Sequence, residues 1–273
     1  MRPVPRSGME PAPERQGRPG PASQGALRGL WDQVGTLVLA VLIALGIRAF
    51  VIEPFRIPSG SMLPTLLIGD HLFVNKFVYG MKIPFTDLRL PGLRQPERGD
   101  VVVFSVAKQG TSIYPADERP DFPRDNFVKR IVGLPGDTVE VRDGEVRVNG
   151  EVLPQTATDD TFVDDRGRTL LVRQEQLGAH RHAVLDDPAI TGLQRTPLVV
   201  PPGRYFMMGD NRDFSNDSRG WGTVRLAEMK GPAFILYWSW DFDGPWSALL
   251  SPLTWYDLLA HKARWSRLGT TVN

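Results

Sequence analysis

Apolar and polar positions divide the chain into zones with different periods. From Leu30 to Ile52 the sequence is dominated by large apolar residues, and the run Val34–Ile47 (VGTLVLAVLIALGI) carries no charge. About 20 helical residues, each rising ~1.5 Å, cover a hydrocarbon core of roughly 30 Å, a length reached here if Arg48 snorkels at one end. The run shows no amphipathic stripe, so it predicts a transmembrane helix over residues 30–52, with a buried core helix as the alternative. Residues 1–26 are rich in Pro, Gly and Arg and nearly free of large apolar side chains. Such a stretch buries too little surface to offset the entropy of ordering, and a disordered tail is expected over residues 1–29. Arg2, Arg6, Arg15, Arg18 and Arg28 precede the apolar run, and the positive-inside bias puts the tail in the cytoplasm and everything after Ile52 outside. Ala44-Leu45-Gly46 only weakly imitates a cleavage site, which favours an uncleaved anchor.

Past the anchor the period drops to two. Short alternating runs such as Asp100–Phe104, Phe127–Val132 and Thr138–Val148 are separated by Gly, Pro and Asp, the pattern of half-buried strands. Asp143-Gly144 and Asn149-Gly150 predict tight hairpin turns. No strand–helix alternation appears, which argues against a doubly wound parallel sheet. Residues 154–197 are polar and irregular and are read as an insertion between two halves of a β domain, 53–153 and 198–250, followed by a C-terminal tail over 251–273. Tyr237, Trp238, Trp240, Trp246, Trp255, Tyr256 and Trp265 crowd the last forty residues, either as core or as rings that settle at lipid headgroups.

Composition narrows the function classes. The 32 basic and 31 acidic residues nearly cancel at net +1, giving no electrostatic footprint for nucleic acid. Cysteine is absent, which excludes disulfides, thiol nucleophiles and thiolate metal sites. Of the four histidines only His180 and His182 are close in sequence, in a polar stretch read as a solvated loop rather than a metal site.

Three segments carry candidate chemistry. Pro58-Ser59-Gly60-Ser61-Met62-Leu63-Pro64 places two serines around a glycine between two prolines, incompatible with regular helix or central strand and suited to exposing a hydroxyl beside a backbone amide. An ordinary turn has the same composition. Among six lysines, Lys129 alternates with Phe127 and Ile131 on one strand face. Desolvation there would lower its pKa and leave an amine able to take a serine proton, whereas a position at the sheet surface would pair it with an acid. Gly209–Arg219 packs three acids and two arginines into a turn-rich stretch containing Ser215 and Ser218, read as a solvated loop, a mutually satisfied ion-pair network, or less readily a calcium loop.

Together these segments resemble the type I signal peptidase family. Its serine box is similar to Pro58–Leu66 preceded by Glu53-Pro54-Phe55, a strand box to Arg98–Phe104, its lysine box to Lys129–Asp137, and its last box to Gly209–Asp213 with Ser215, Asp217, Ser218 and Arg219. The resemblance implies Ser61 as nucleophile and Lys129 as general base, Ser59 as an oxyanion donor beside the Ser61 amide, and Ser215 as the group orienting Lys129. It further implies ion pairs of Arg130 with Asp210 and of Asp217 with Arg219. Phe55, Ile57, Met62, Leu66, Phe127 and Val128 would line shallow pockets for alanines in Ala-X-Ala-type sites. Phe214 stands where the family usually has asparagine. The implied fold is mainly β, an antiparallel catalytic domain with a smaller β insertion behind one transmembrane helix, with no cofactor and no metal. The implied setting is the bacterial cytoplasmic (inner) membrane, with the catalytic domain on the periplasmic side. The implied partners are signal peptides of secreted preproteins, the lipid bilayer and the neighbouring export translocon. Ser61 follows the anchor by about a dozen residues, at most roughly 40 Å of extended chain, which keeps it near the membrane. A repressor-type Ser/Lys peptidase that cuts itself, and an inactive anchored β domain that binds envelope proteins, are the competing readings.

Overall fold

The computed structural model describes residues 22–82, 88–190, 192–242, 247 and 251–272, without the side chains of 22–30, 32, 49 and 50. The expected tail up to residue 21, and Trp246 in the aromatic group, lie outside the described residues. Two compact units meet at the Gly46–Ile47 bond. The first is built on α1 (Ala22–Phe50), which starts several residues before the apolar run because Ala, Gln, Leu and Arg there are good helix formers. Its described apolar side chains, among them Leu37, Leu39, Leu42, Ile43 and Leu45, are exposed. Among the described residues no helix is long and apolar enough to cross a membrane.

The second unit is β throughout its core. The main sheet contains β1 (Ile52–Arg56), β2 (Asp70–Asn75), β3 (Val101–Gln109), β4 (Ser112–Pro115) and β5 (Arg124–Gly133). Its remaining strands come from the far side of the chain: β13 (Arg204–Met208), β14 (Val224–Arg225) and β15 (Met229–Ser239). They are ordered β1-β2-β15-β3-β5-β13-β14, with β4 paired to β3, and every pairing is antiparallel. A four-stranded sheet is formed by β6 (Thr138–Arg142), β7 (Glu145–Val148), β8 (Glu151–Val152) and β12 (Arg195–Val199). Both predicted turns occur in it: Asp143 and Gly144 have φ of 50° and 80°, and Asn149 and Gly150 have 55° and 85°. These are the backbone angles that tight hairpins require and that Asp, Asn and Gly tolerate best.

The stretch read as irregular is not. Gln155–Asp186 forms a three-stranded antiparallel sheet, β9 (Gln155–Val163), β10 (Thr169–Leu177) and β11 (His180–Asp186). Its alternation is hidden because polar Arg173, Gln174, Glu175 and Gln176 occupy the middle of β10. Nor does the C-terminal segment behave as a loose tail. It forms α2 (Pro252–Asp257), Thr271 bridges to Ile235 and Ala263 to Trp240, and the Arg267 guanidinium pairs with buried Asp70 at 2.6 Å. The aromatic group is split: Trp240 is buried with Phe242 and Leu258, whereas Trp255, Tyr256 and Trp265 are exposed.

Candidate active site

Three elements converge on Ser61. The first is a single helical turn, Gly60–Met62, anchored because Ile57, Met62 and Leu66 are buried in the core shared by β2, β3 and β15. Ser61 itself is half-buried and Ser59 is exposed, with no capping bond from its hydroxyl. The second is β5, which brings Lys129 opposite Val102 of β3. The third is the loop after β13. Asn211 clamps the serine turn twice, its backbone N–H donating to the Ser61 carbonyl at 3.2 Å and its side-chain amide to the Gly60 carbonyl at 3.0 Å. Gly209 is required for this approach, since a Cβ there would collide with the Ser61 carbonyl oxygen and the Ser215 side chain.

Lys129 Nζ is hydrogen-bonded to Ser61 Oγ, and the side chain is 3% exposed. Burial pulls its pKa down from the ordinary 10.5 to about 8, and Arg219 adds to that fall. Asp217 and Asp210 oppose it only as charges at a distance, without hydrogen-bonding the ammonium. A lysine in this state is neutral in about one molecule in ten at pH 7 and in about half near pH 8, against less than about one in a thousand for an ordinary lysine at pH 7.

The neighbouring residue Arg130 is fully buried too, although alternation would place it on the opposite, outer face of β5. Its guanidinium donates to both oxygens of Asp210, at 2.9 and 2.8 Å, and to the Gly99 carbonyl at 2.7 Å. Thr65 Oγ1 also donates to Asp210, at 2.5 Å, tying the serine turn to the same carboxylate. A second buried pair joins Arg219 to both oxygens of Asp217 at 2.8 Å, and Asp217 accepts the Gly209 N–H at 3.0 Å. Burial alone would raise both carboxyls, but Arg130 and Arg219 override it and hold Asp210 and Asp217 below the ordinary carboxylate range. Of the three readings of this stretch, the ion-pair network is the one that forms.

Two expectations need correction. Leu66 is completely buried in the core it shares with Ile57, Met62 and Leu72 and does not line the cleft beside Ser61. Ser215 Oγ is buried but makes no hydrogen bond to Lys129; its side chain lies against Gly209 instead. A third pair was not legible at all. Glu175 of β10 accepts both terminal nitrogens of Arg212, at 2.6 and 2.5 Å. His182, read as part of a solvated loop, is buried 3.4 Å from Glu175 and 3.8 Å from Asp210. Nothing in the local sequence distinguishes Glu175 from the exposed acids around it, since its partner stands 37 residues away. Gly209, Asn211 and Thr65 lay inside the quoted motifs, where their spacing was visible but their contacts were not.

An open cleft of about 490 Å³ runs past Ser61 and Lys129, lined by Phe55, Ile57, Met62, Phe127 and Val128, with Ser59, Phe214 and Asn216 also on its wall. Five of the six expected pocket residues therefore face one space. Arg56, Lys108, Asp125 and Asn126 add polar and charged groups to its wall, and it holds a hydroxyl hydrogen-bonded to a depressed-pKa amine.

Residues 30–238 match the family described as signal peptidase, peptidase S26. Signal peptidase I of Pseudomonas aeruginosa is 39% identical over 215 residues, covering 73% of this chain and 69% of that relative. The Pseudomonas fluorescens enzyme of the same name is 40% identical over 215 residues, with the same shares covered. Signal peptidase I of Aquifex aeolicus is 33% identical over 254 residues, covering 81% of this chain and 90% of its own. A matching span of that length, enclosing the serine turn, the lysine strand and the arginine-bound carboxylates, establishes that the chain belongs to the S26 signal peptidases, a family of serine peptidases.

Proposed function

We propose that this protein cleaves N-terminal signal peptides from exported preproteins after Ala-X-Ala-type sites, with Ser61 as nucleophile and Lys129 as general base. The observation that carries the reading is the hydrogen bond between Ser61 Oγ and a buried lysine whose pKa has fallen to about 8. Neutral Lys129 Nζ takes the proton as Ser61 Oγ attacks the scissile carbonyl carbon. The oxyanion is met by the Ser61 amide and the Ser59 hydroxyl, and the lysine proton passes to the departing amine. Lys129 then deprotonates a water that hydrolyses the acyl-serine, restoring both groups. Asp210 with Arg130 and Asp217 with Arg219 keep the loop in place; Ser215 serves as a buried hydroxyl of that loop. Phe55, Ile57, Met62, Phe127 and Val128 form the alanine pockets, where larger side chains clash. The chemistry needs no cofactor or metal.

The membrane setting is part of the proposal. Residues 30–52 act as the single anchor, supported by the uncharged run Val34–Ile47, by exposed apolar side chains along α1 and by the arginines before it. The catalytic unit then lies outside the cytoplasmic membrane, near the translocon and the emerging cleavage site. Protease added to spheroplasts is expected to digest an epitope placed after residue 60 and to spare one near residue 10; the reverse pattern rejects the topology.

Incubation of the purified enzyme with an Ala-X-Ala preprotein, with mass-spectrometric mapping of the cut, tests the activity. Wild type is expected to cut after the second alanine and Ser61→Ala not at all. Loss of one oxyanion donor in Ser59→Ala should slow cleavage about 100- to 1,000-fold. Normal cleavage by Ser61→Ala would place the nucleophile elsewhere.

A further inference from the structure

Phe214 lines the same cleft as Ser61 and Lys129 but comes from a different element than the residues assigned to the alanine pockets. Those residues belong to β1, the segment from Ile57 through the serine turn, and β5, whereas Phe214 belongs to the loop that carries Asn211 and Ser215. Its ring is half-buried and packs against Leu63, Leu170 and Leu185, so one side is held by the small sheet of β9–β11. The Arg168 guanidinium lies 3.2 Å from the ring centroid, well inside the range of cation–π attraction.

Arg168 is itself immobilised. It is ion-paired with Asp164, its Nε donating to Oδ2 at 2.7 Å, and Asp164 also accepts the backbone N–H groups of Arg166 and Arg168 at 2.9 and 2.8 Å. The β9–β10 hairpin thus holds a ring that also lines the cleft. An aromatic side chain fixed in this way offers apolar contact area without losing rotamer freedom on binding.

We propose that Phe214, held by Arg168, is a specificity-determining residue: the wall of a subsite that accepts a large apolar substrate side chain close to the scissile bond, at a position other than the two alanines. This rests on the peptidase reading above. It also assigns a role to the β9–β11 sheet, which supplies the clamp.

The test uses the full-length enzyme in detergent and a peptide series with both alanines fixed, in which each other position within three residues of the cut is varied between Gly, Leu and Phe. At one position wild type is expected to favour Leu or Phe over Gly by about tenfold in kcat/KM, the scale on which an apolar pocket discriminates. Phe214→Ala should abolish that ratio, Phe214→Tyr should keep it, and Arg168→Ala should reduce it about threefold. Equal losses on all peptides in Phe214→Ala would overturn the proposal and leave the ring a purely structural role. An unchanged ratio would overturn it as well. Failure of the underlying reading is separately visible: wild type would then cut no peptide, or Ser61→Ala would cut them all.

Discussion

Adjacent residues of one strand, Lys129 and Arg130, lead into two regions of equal dryness and opposite electrostatics. On the cleft side a cation is buried with no carboxylate in contact, and its charge is destabilised until the proton is loosely held. On the other side Arg130, Arg219 and Arg212 each meet a buried carboxylate in two-point geometry, and the charges are locked on. Low dielectric amplifies both outcomes. The contrast separates two uses of burial: paired charges hold Gly209–Asn211 against the serine turn, while the lack of a carboxylate in contact with Lys129 of β5 destabilises its charged form.

The comparison is broken most severely by making the cleft cation permanent. In Lys129→Arg the guanidinium stays protonated and accepts no proton from serine, and preprotein cleavage should fall at least about 1,000-fold, as far as in Lys129→Ala. In wild type kcat/KM should rise with pH through an apparent pKa of about 8, a limb that belongs to the coupled Ser61–Lys129 pair. An arginine variant near wild-type rate would reduce Lys129 to a bare positive charge and remove the Ser/Lys mechanism.

A smaller effect is expected from unpairing the scaffold. Asp210→Asn strips buried Arg130 of its counter-charge, which should cost about 3 to 5 kcal/mol in stability. Replacing both partners, Arg130→Met with Asp210→Leu, should recover much of it. Thermal unfolding in detergent measures both, and a double variant no more stable than the single one would contradict the ion-pair account.

The smallest effect has the opposite sign. Lys129→Met removes a charge that is costly to bury, and at pH 7 it should stabilise the fold. A fall in pKa from 10.5 to about 8 sets the scale at about 3 kcal/mol at most. Between those two values the unfolded chain holds a proton that the folded one has released, so wild-type stability should rise with pH across that window. A methionine variant less stable than wild type at pH 7 would mean that Lys129 is not desolvated as its burial requires.

The main sheet was legible where its signals are local. Alternation marked β3 and β5 there, and in the four-stranded sheet Asp143-Gly144 and Asn149-Gly150 marked the β6–β7 and β7–β8 turns, because side-chain period and positive φ act within a few residues. The β9–β11 sheet was implied by the family resemblance but was not legible in its own residues, because the central strand is polar and buries Glu175, and polar residues read as loop unless their partners are known. Leu66 was placed at a pocket although it packs in the core, since spacing within a motif does not say which way a turn points its side chains.

By itself the sequence determined the candidate nucleophile, the candidate base and the order of the motifs around them, because residue type and local period limit what each segment can do. Only the tertiary structure decided that Lys129 lacks a carboxylate in contact while Arg130 has one, that Glu175 closes on Arg212, and that Arg168 clamps Phe214 at the cleft. Burial and ion pairing are set by groups tens of residues apart, and proximity of that kind exists only once the chain has folded.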